Sequence, residues 1–210
     1  MSAPMILLVG LVYAVFIGGL SLLKREPLSG QFALETTLIT ALVAGLTALT
    51  GMLADPVIFV ILLYLITMRV RLLVDIGNLF AQRNELNTAE RIYDFALKLR
   101  PDHTGRVIVR LNRGALFIQQ GALEQAIDTF KDLLNLAAQG PIGVKYEAAI
   151  HYNLGIAYRR QKMDAQAVAE LNQVLDTWPM SIYARRAEAT LKAIRHMNQP
   201  PKGESDMPGE

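Results

Sequence analysis

The sequence predicts an all-α protein in which three membrane-crossing helices precede an array of helical hairpins, about three of them with a capping helix. Three observations carry that expectation. The chain holds 21 basic and 19 acidic side chains, yet only Lys24, Arg25, Glu26, Glu35 and Asp55 lie within residues 1–68. Long uncharged runs fill that same stretch. Beyond it, a spaced pattern of small and large residues recurs three times. The expected division is a membrane domain at 1–68, a repeat domain at 69–197 and a disordered tail, rich in Pro, Gly and acids, at 198–210.

Met5 to Leu23 carries no charge, and its length is close to the roughly 20 residues needed to cross a hydrocarbon core of about 30 Å. A cleaved signal peptide is the competing reading. No Lys or Arg precedes the run, however, and Lys24-Arg25-Glu26 is not a small-residue cleavage site, so an uncleaved span at 5–23 is expected. The second uncharged run, 36–53, follows a turn-prone connector containing Pro27 and Gly30. Gly10, Ala14 and Gly18 on the first run recur at four-residue intervals, as do Ala41 with Gly45 and Ala44 with Ala48 on the second. Such spacing lets two backbones approach in lipid.

The third run, 57–68, begins after an Ala54-Asp55-Pro56 turn, with Pro56 suited to a first helical turn and Asp55 to the end just before it. It is short, so Arg69 and Arg71 are expected to snorkel, or the helix to tilt. This helix is expected to run without a break into the first repeat, holding the array at a fixed angle to the membrane. Lys24 and Arg25 close the first span, and Arg69 and Arg71 close the third. The positive-inside tendency then places the amino terminus outside and the repeats in the cytoplasm of a multi-pass inner or plasma membrane protein. Glu35 and Asp55 fall at span ends, where a hydrated position is expected instead of an ion path.

The recurring pattern is clearest at Leu73, Ile76, Gly77, Phe80, Ala89, Tyr93, Ala96 and Pro101. It returns as Gly114, Phe117, Gly121, Ala126 and Phe130, then as Leu154, Gly155, Tyr158, Ala167, Leu171 and Pro179. In the second unit Arg110 and Arg113 stand at the early large positions, and in the third His151 takes the first of them. Each unit reads as two antiparallel helices. Gly77, Gly114 and Gly155 remove a side chain where the helices touch, Ala89, Ala126 and Ala167 do so from the partner helix, and Tyr93 and Phe130 fill the space between. No hairpin could bury its apolar face alone, so stacking supplies the core. Asn87 with Glu90 offers a capping start for the second helix of the first unit. Pro101 and Pro179 would stop the second helices of the first and third.

This pattern resembles the tetratricopeptide repeat family over about residues 70–181. The repeats fall at 70–103, 104–137 and 148–181, with a capping helix at 182–197 and a loop insertion around Gly140-Pro141-Ile142-Gly143. The resemblance implies a right-handed array that binds a protein or peptide in a groove lined by the first helix of each unit. By position that groove presents Arg71, Val74, Asn78, Leu111, Asn112, Ala115, Tyr152, Asn153, Ile156 and Arg159. The competing reading leaves these side chains solvated or packed against the protein's own membrane part. Val74, Ala149 and Asn153 stand where the carboxylate-gripping subclass would carry cations, so that mode is not expected.

Other chemistry finds little support. Residues 69–197 hold 18 basic against 13 acidic side chains without a basic run interleaved with aromatics, so no nucleic-acid partner is expected. The absence of cysteine excludes disulfides and thiol chemistry. His103, His151 and His196 are far apart, lack acidic neighbours at metal-ligand spacing and are expected on loop or helix surfaces. No nucleophile elbow or phosphate-cradling loop occurs, so neither an enzyme nor a cofactor site is expected. The expected function is a membrane-anchored adaptor at the cytoplasmic membrane face, serving the assembly of a membrane complex. The alternative is a structural accessory subunit held by its membrane helices against other subunits of such a complex.

Overall fold

Apolar sequence without an interior proline forms two long helices, α1 (Ala3–Leu23) and α2 (Gly30–Thr50). They open the computed structural model, which describes residues 1–23, 29–138, 140 and 142–197. The tail at 198–210, the Lys24-Arg25 cluster and part of the loop around Pro141 lie outside the described residues. The Ser29 hydroxyl accepts a hydrogen bond from the Phe32 amide at 3.1 Å, so α2 starts six residues before the uncharged run and takes in Glu35. Gly10 faces Thr40: a β-carbon at Gly10 would lie 2.4 Å from the Thr40 side chain. The small-residue rows predicted on α2 behave unequally. Ala44 is buried, but Ala41 and Ala48 are exposed, and the space beside Gly45 is open. Contact therefore runs along the line of Thr36, Thr40, Ala44 and Thr47.

α3 (Pro56–Thr67) starts as its sequence predicts, with Pro56 in the first turn and the Asp55 carboxylate accepting from the Val57 and Ile58 amides at 2.8 and 3.0 Å. It lies beside the first half of α1. The Met1 amino group meets the Ala54 carbonyl at one end, and Tyr13 and Thr67 share a hydrogen bond of 2.7 Å at the other. The second half of α1, from Ala14 to Leu23, therefore continues about 15 Å past the end of α3 at the ordinary helical rise. α1 and α2 are each long and apolar enough to cross a membrane. α3 meets that test only if it and the next helix count as one bent span.

The expectation of an unbroken helix is corrected at this point. α4 (Arg69–Gln82) turns by 72° from the axis of α3, with Met68 at the corner. No proline or glycine causes the bend. The Arg69 guanidinium donates to the Ile66 carbonyl at 2.7 Å, occupying an acceptor of the last turn of α3, and a side chain inserted into the backbone ladder is a recognised cause of a kink. The joint is nevertheless not a linker. Met68 donates to the Tyr64 carbonyl and Leu72 to the Met68 carbonyl, both at 2.9 Å. Arg69 also forms a two-pronged pair with Glu35 of α2, at 2.5 and 2.7 Å, and Gln31 donates to the same carboxylate at 2.7 Å. Arg69 thus binds within the protein, where snorkelling was expected.

From α4 onward the chain is hairpins: α4 with α5 (Leu86–Lys98), α6 (His103–Gln120) with α7 (Leu123–Ala138), and α8 (Val144–Arg160) with α9 (Asp164–Thr177), followed by α10 (Ile182–Met197). The three hairpin turns are one structure repeated. Asn84, Gly121 and Lys162 adopt left-handed φ values of 62°, 78° and 61°. The next residue in each turn, Glu85, Ala122 or Met163, donates 2.9 to 3.0 Å back to Phe80, Phe117 or Tyr158, a Schellman closure. The predicted cap is not used: α5 begins at Leu86, Asn87 lies inside it, and Glu85 at the helix start makes no side-chain capping bond. α5 and α9 stop just before Pro101 and Pro179, as expected.

The glycines sit where the helices close. A β-carbon would lie 2.4 Å from the Tyr93 ring at Gly77, 2.7 Å from Phe130 at Gly114 and 2.9 Å from Leu171 at Gly155. Ala89, Ala126 and Ala167 are fully buried opposite them. Gly77→Ala and Gly114→Ala should each lower unfolding stability by about 1–3 kcal/mol through overpacking. Gly45→Ala, with open space beside it in a helix interior, should not lower it and should raise it by up to about 1 kcal/mol. Denaturant titration of the detergent-solubilised chain checks both.

Candidate protein-binding groove

α4, α6, α8 and α10 each touch the next in line, whereas α5, α7 and α9 touch only the first-layer helices beside them among the described residues. The closer layer is the inside of the curve. Positions that departed from the repeat pattern tie neighbouring helices together. Arg113 reaches Glu90 and Asp94 of α5 at 3.7 and 3.4 Å and lies 5.3 Å from the Phe117 ring. His151, expected on a surface, is partly buried and pairs with Glu170 of α9 at 2.7 Å.

A cleft of about 520 Å³ opens on the inner layer. Of the ten residues expected to line a groove, Arg71, Val74, Asn78, Leu111 and Asn112 border it, while Ala115, Tyr152, Asn153, Ile156 and Arg159 do not. Its opposite wall is the protein's own first helix: Ile17, Leu20 and Ser21 come from the part of α1 that outruns α3, and Tyr64 comes from α3. Sequence reasoning missed Asp75 and Ile108, although register could have found them. Asp75 occupies the place of Asn112 and Asn153, and Ile108 that of Arg71. The wall from α1, and Tyr183 from α10, had no sequence signal, since each depends on how separate segments fold back.

The asparagines are held in place by their own hairpins. Asn112 and Asn153 donate to the Ile108 and Ala149 carbonyls, both at 2.8 Å. The Tyr93 hydroxyl donates to Asn78 Oδ1 at 2.6 Å, so the ring that packs on Gly77 also orients a cleft residue. Tyr152 stacks on Tyr183 at 5.8 Å, which links α8 to α10 and takes Tyr152 out of the cleft lining. Burial pushes the Tyr183 hydroxyl up and that of Tyr93 up to about 12. Val74 is buried, so the place where a carboxylate-gripping cation would stand is part of the core.

Stacked hairpins with an inner layer, an outer layer and a shared turn geometry define a helical repeat protein. The family model described as Tetratricopeptide repeat matches residues 149–181, which form most of the third hairpin. The chain therefore carries a tetratricopeptide repeat there, and the two hairpins before it share its register. Comparison with curated proteins gives no match. Among solved structures, the Arabidopsis OM64 TPR domain is similar at 19% sequence identity, with 59% of this chain and 94% of that chain covered and a TM-score of 0.47.

Because the folded Tyr93 keeps its proton to about pH 12 and an unfolded tyrosine ionises near 10, its contribution to stability is complete below about pH 10 and is lost as pH rises toward 12. Tyr93→Phe should flatten that loss relative to the unmodified chain, as measured by thermal unfolding across the alkaline range.

Proposed function

We propose that the protein is a membrane-anchored adaptor whose repeats hold a segment of another protein, with the anchor forming part of the binding site. The cleft shared by α1, α4 and α6 carries this reading. Arg71, Asp75 and Asn112 supply polar contacts beside apolar Val74, Leu111 and Leu20, a mixture suited to a peptide or helix held by apolar anchors and a few hydrogen bonds. α1 and α2 cross the bilayer and α3 enters it, with the amino terminus outside and the repeats on the cytoplasmic side. In this setting the adaptor serves assembly of a membrane complex. Photo-crosslinkers at Asn112 and Tyr183 should capture one defined protein in cells, those at Asp128 on the outer layer should not, and Leu111→Arg should abolish the capture. Capture that is equal from both faces, or that survives Leu111→Arg, refutes the groove.

The open space beside Gly45 favours a second reading. In it, α2 presents an outward face to another subunit's helix, and the repeats only cap the complex. Groove substitutions would then be neutral, while Gly45→Leu would release the protein from its complex. Topology is a separate matter. A single cysteine at Arg195 should react with a membrane-impermeant maleimide only after the cytoplasmic face is opened. Labelling in intact cells would reverse the orientation.

A further inference from the structure

The first hairpin has no hairpin stacked before it, and its open face is apolar. On α4, Ile76 and Leu79 lie on the side away from α6, and Leu72, one turn earlier, stands between that side and the cleft it also lines. On α5, Ile92, Phe95 and Leu99 continue the same surface. Ile76, Leu79 and Phe95 are 45%, 46% and 53% exposed. On α5, lack of a neighbour alone does not account for this chemistry. The later hairpins carry Thr129 and Glu170 in place of Ile92, and exposed Asp132 and Gln173 in place of Phe95. On α4 the missing neighbour does account for the exposure, since Leu116 and Ala157, the counterparts of Leu79, are apolar and buried.

Three observations indicate what covers this face. It is continuous with the apolar helices, because Arg69 begins the same stripe one turn before Leu72 and is bound to Glu35 of α2. It starts at Leu72, five residues past Thr67 at the end of α3 and just beyond a corner of 72°, so with α3 along the bilayer normal α4 would lie close to the bilayer plane. It also lies level with the second half of α1, since α3, from whose end α4 turns off, stops about 15 Å before α1 does. A bilayer that takes in the length of α1 reaches the level of α4. Exposed Arg83 and Arg91 sit near the ends of the apolar surface, and exposed Asp75 and Glu85 sit beside it as well.

We propose that the open face of the first hairpin, through Ile76, Leu79 and Phe95, rests on the lipid headgroup and acyl boundary of the leaflet from which the repeats emerge. This rests on the reading that α1 and α2 cross a membrane. The docked hairpin would fix the array against the bilayer at a second place besides the elbow, leaving the cleft facing α1.

The chain has no cysteine, so single-cysteine variants of the whole protein can be labelled cleanly with an environment-sensitive bimane. Ile76→Cys, Leu79→Cys and Phe95→Cys would be compared with Asp132→Cys, the matching position in the second hairpin, and with Leu42→Cys on the exposed side of α2. All would be reconstituted into phosphatidylcholine and phosphatidylglycerol vesicles containing lipids with a nitroxide quencher on the acyl chain. At least two of the three face positions should lose most of their emission, Leu42 should do so too, and Asp132 should keep its emission. If Leu42 is quenched and the face positions behave like Asp132, the docked face is overturned while the membrane reading stands. If Leu42 also keeps its emission, both fall. Face labels that are insensitive to lipid quencher, at positions whose unlabelled cysteines form disulfides between copies under mild oxidation, would assign the surface to a second copy and overturn the lipid proposal.

Discussion

The rest of the structure depends on the corner at Met68, where Arg69 is held from two directions. One of its nitrogens takes an acceptor from the last turn of α3, and the same guanidinium grips Glu35 across the bundle. Charge-assisted, two-pronged bonds of this kind are directional as well as strong, and an only partly exposed pair escapes much of the screening that reduces surface pairs to between 0 and about 1 kcal/mol. The bend therefore has a defined direction without any helix-breaking residue. Everything after Met68 inherits that direction, including the placement of the first hairpin beside α1.

A second constraint sets the thickness of the array. Each hairpin closes at a glycine that lies too near a large side chain to accept even one more carbon. Such closeness matters because protein interiors are packed at crystal-like density, so there is little slack to absorb a methyl group. The same tight register converts apparent defects into ties. Arg113 and His151 occupy places where the pattern wants bulk, and each instead reaches an acidic group on a neighbouring second-layer helix. The Arg113 contacts join the first two hairpins, the His151 pair closes the third, and one apolar core runs through the whole array.

Function follows from combining these two. Inner-layer side chains face α1 because the corner turns the array back toward the helix that outruns α3. The cleft is consequently a joint product of α1, α3 and the repeats. Asn78 illustrates the coupling: its carbonyl oxygen is held by the phenol whose ring closes the hairpin, so the packing of the core and the orientation of a cleft residue are set by one side chain.

Much of this was legible in the chain. Small residues opposite large ones, a proline after the second helix and a polar N-cap before a helix are local signals, because the physics they report acts over one or two turns. The apolar lengths of α1 and α2 were equally readable, since crossing length is a property of composition. The bend at Met68 was not: it needs Glu35, distant in sequence, to capture Arg69, and nothing local distinguishes that outcome from a straight helix. Register within a repeat showed which residues share a face, so Arg71, Val74, Asn78, Leu111 and Asn112 could be named in advance. It could not show that α1 would stand opposite them or that Tyr183 would draw Tyr152 away. The sequence by itself determined the helices, their pairing and the small contacts that close each hairpin, because those interactions connect near neighbours in the chain. Only the tertiary structure decided the angle of the array and the second wall of its cleft, because both depend on contacts between distant segments that no periodicity encodes.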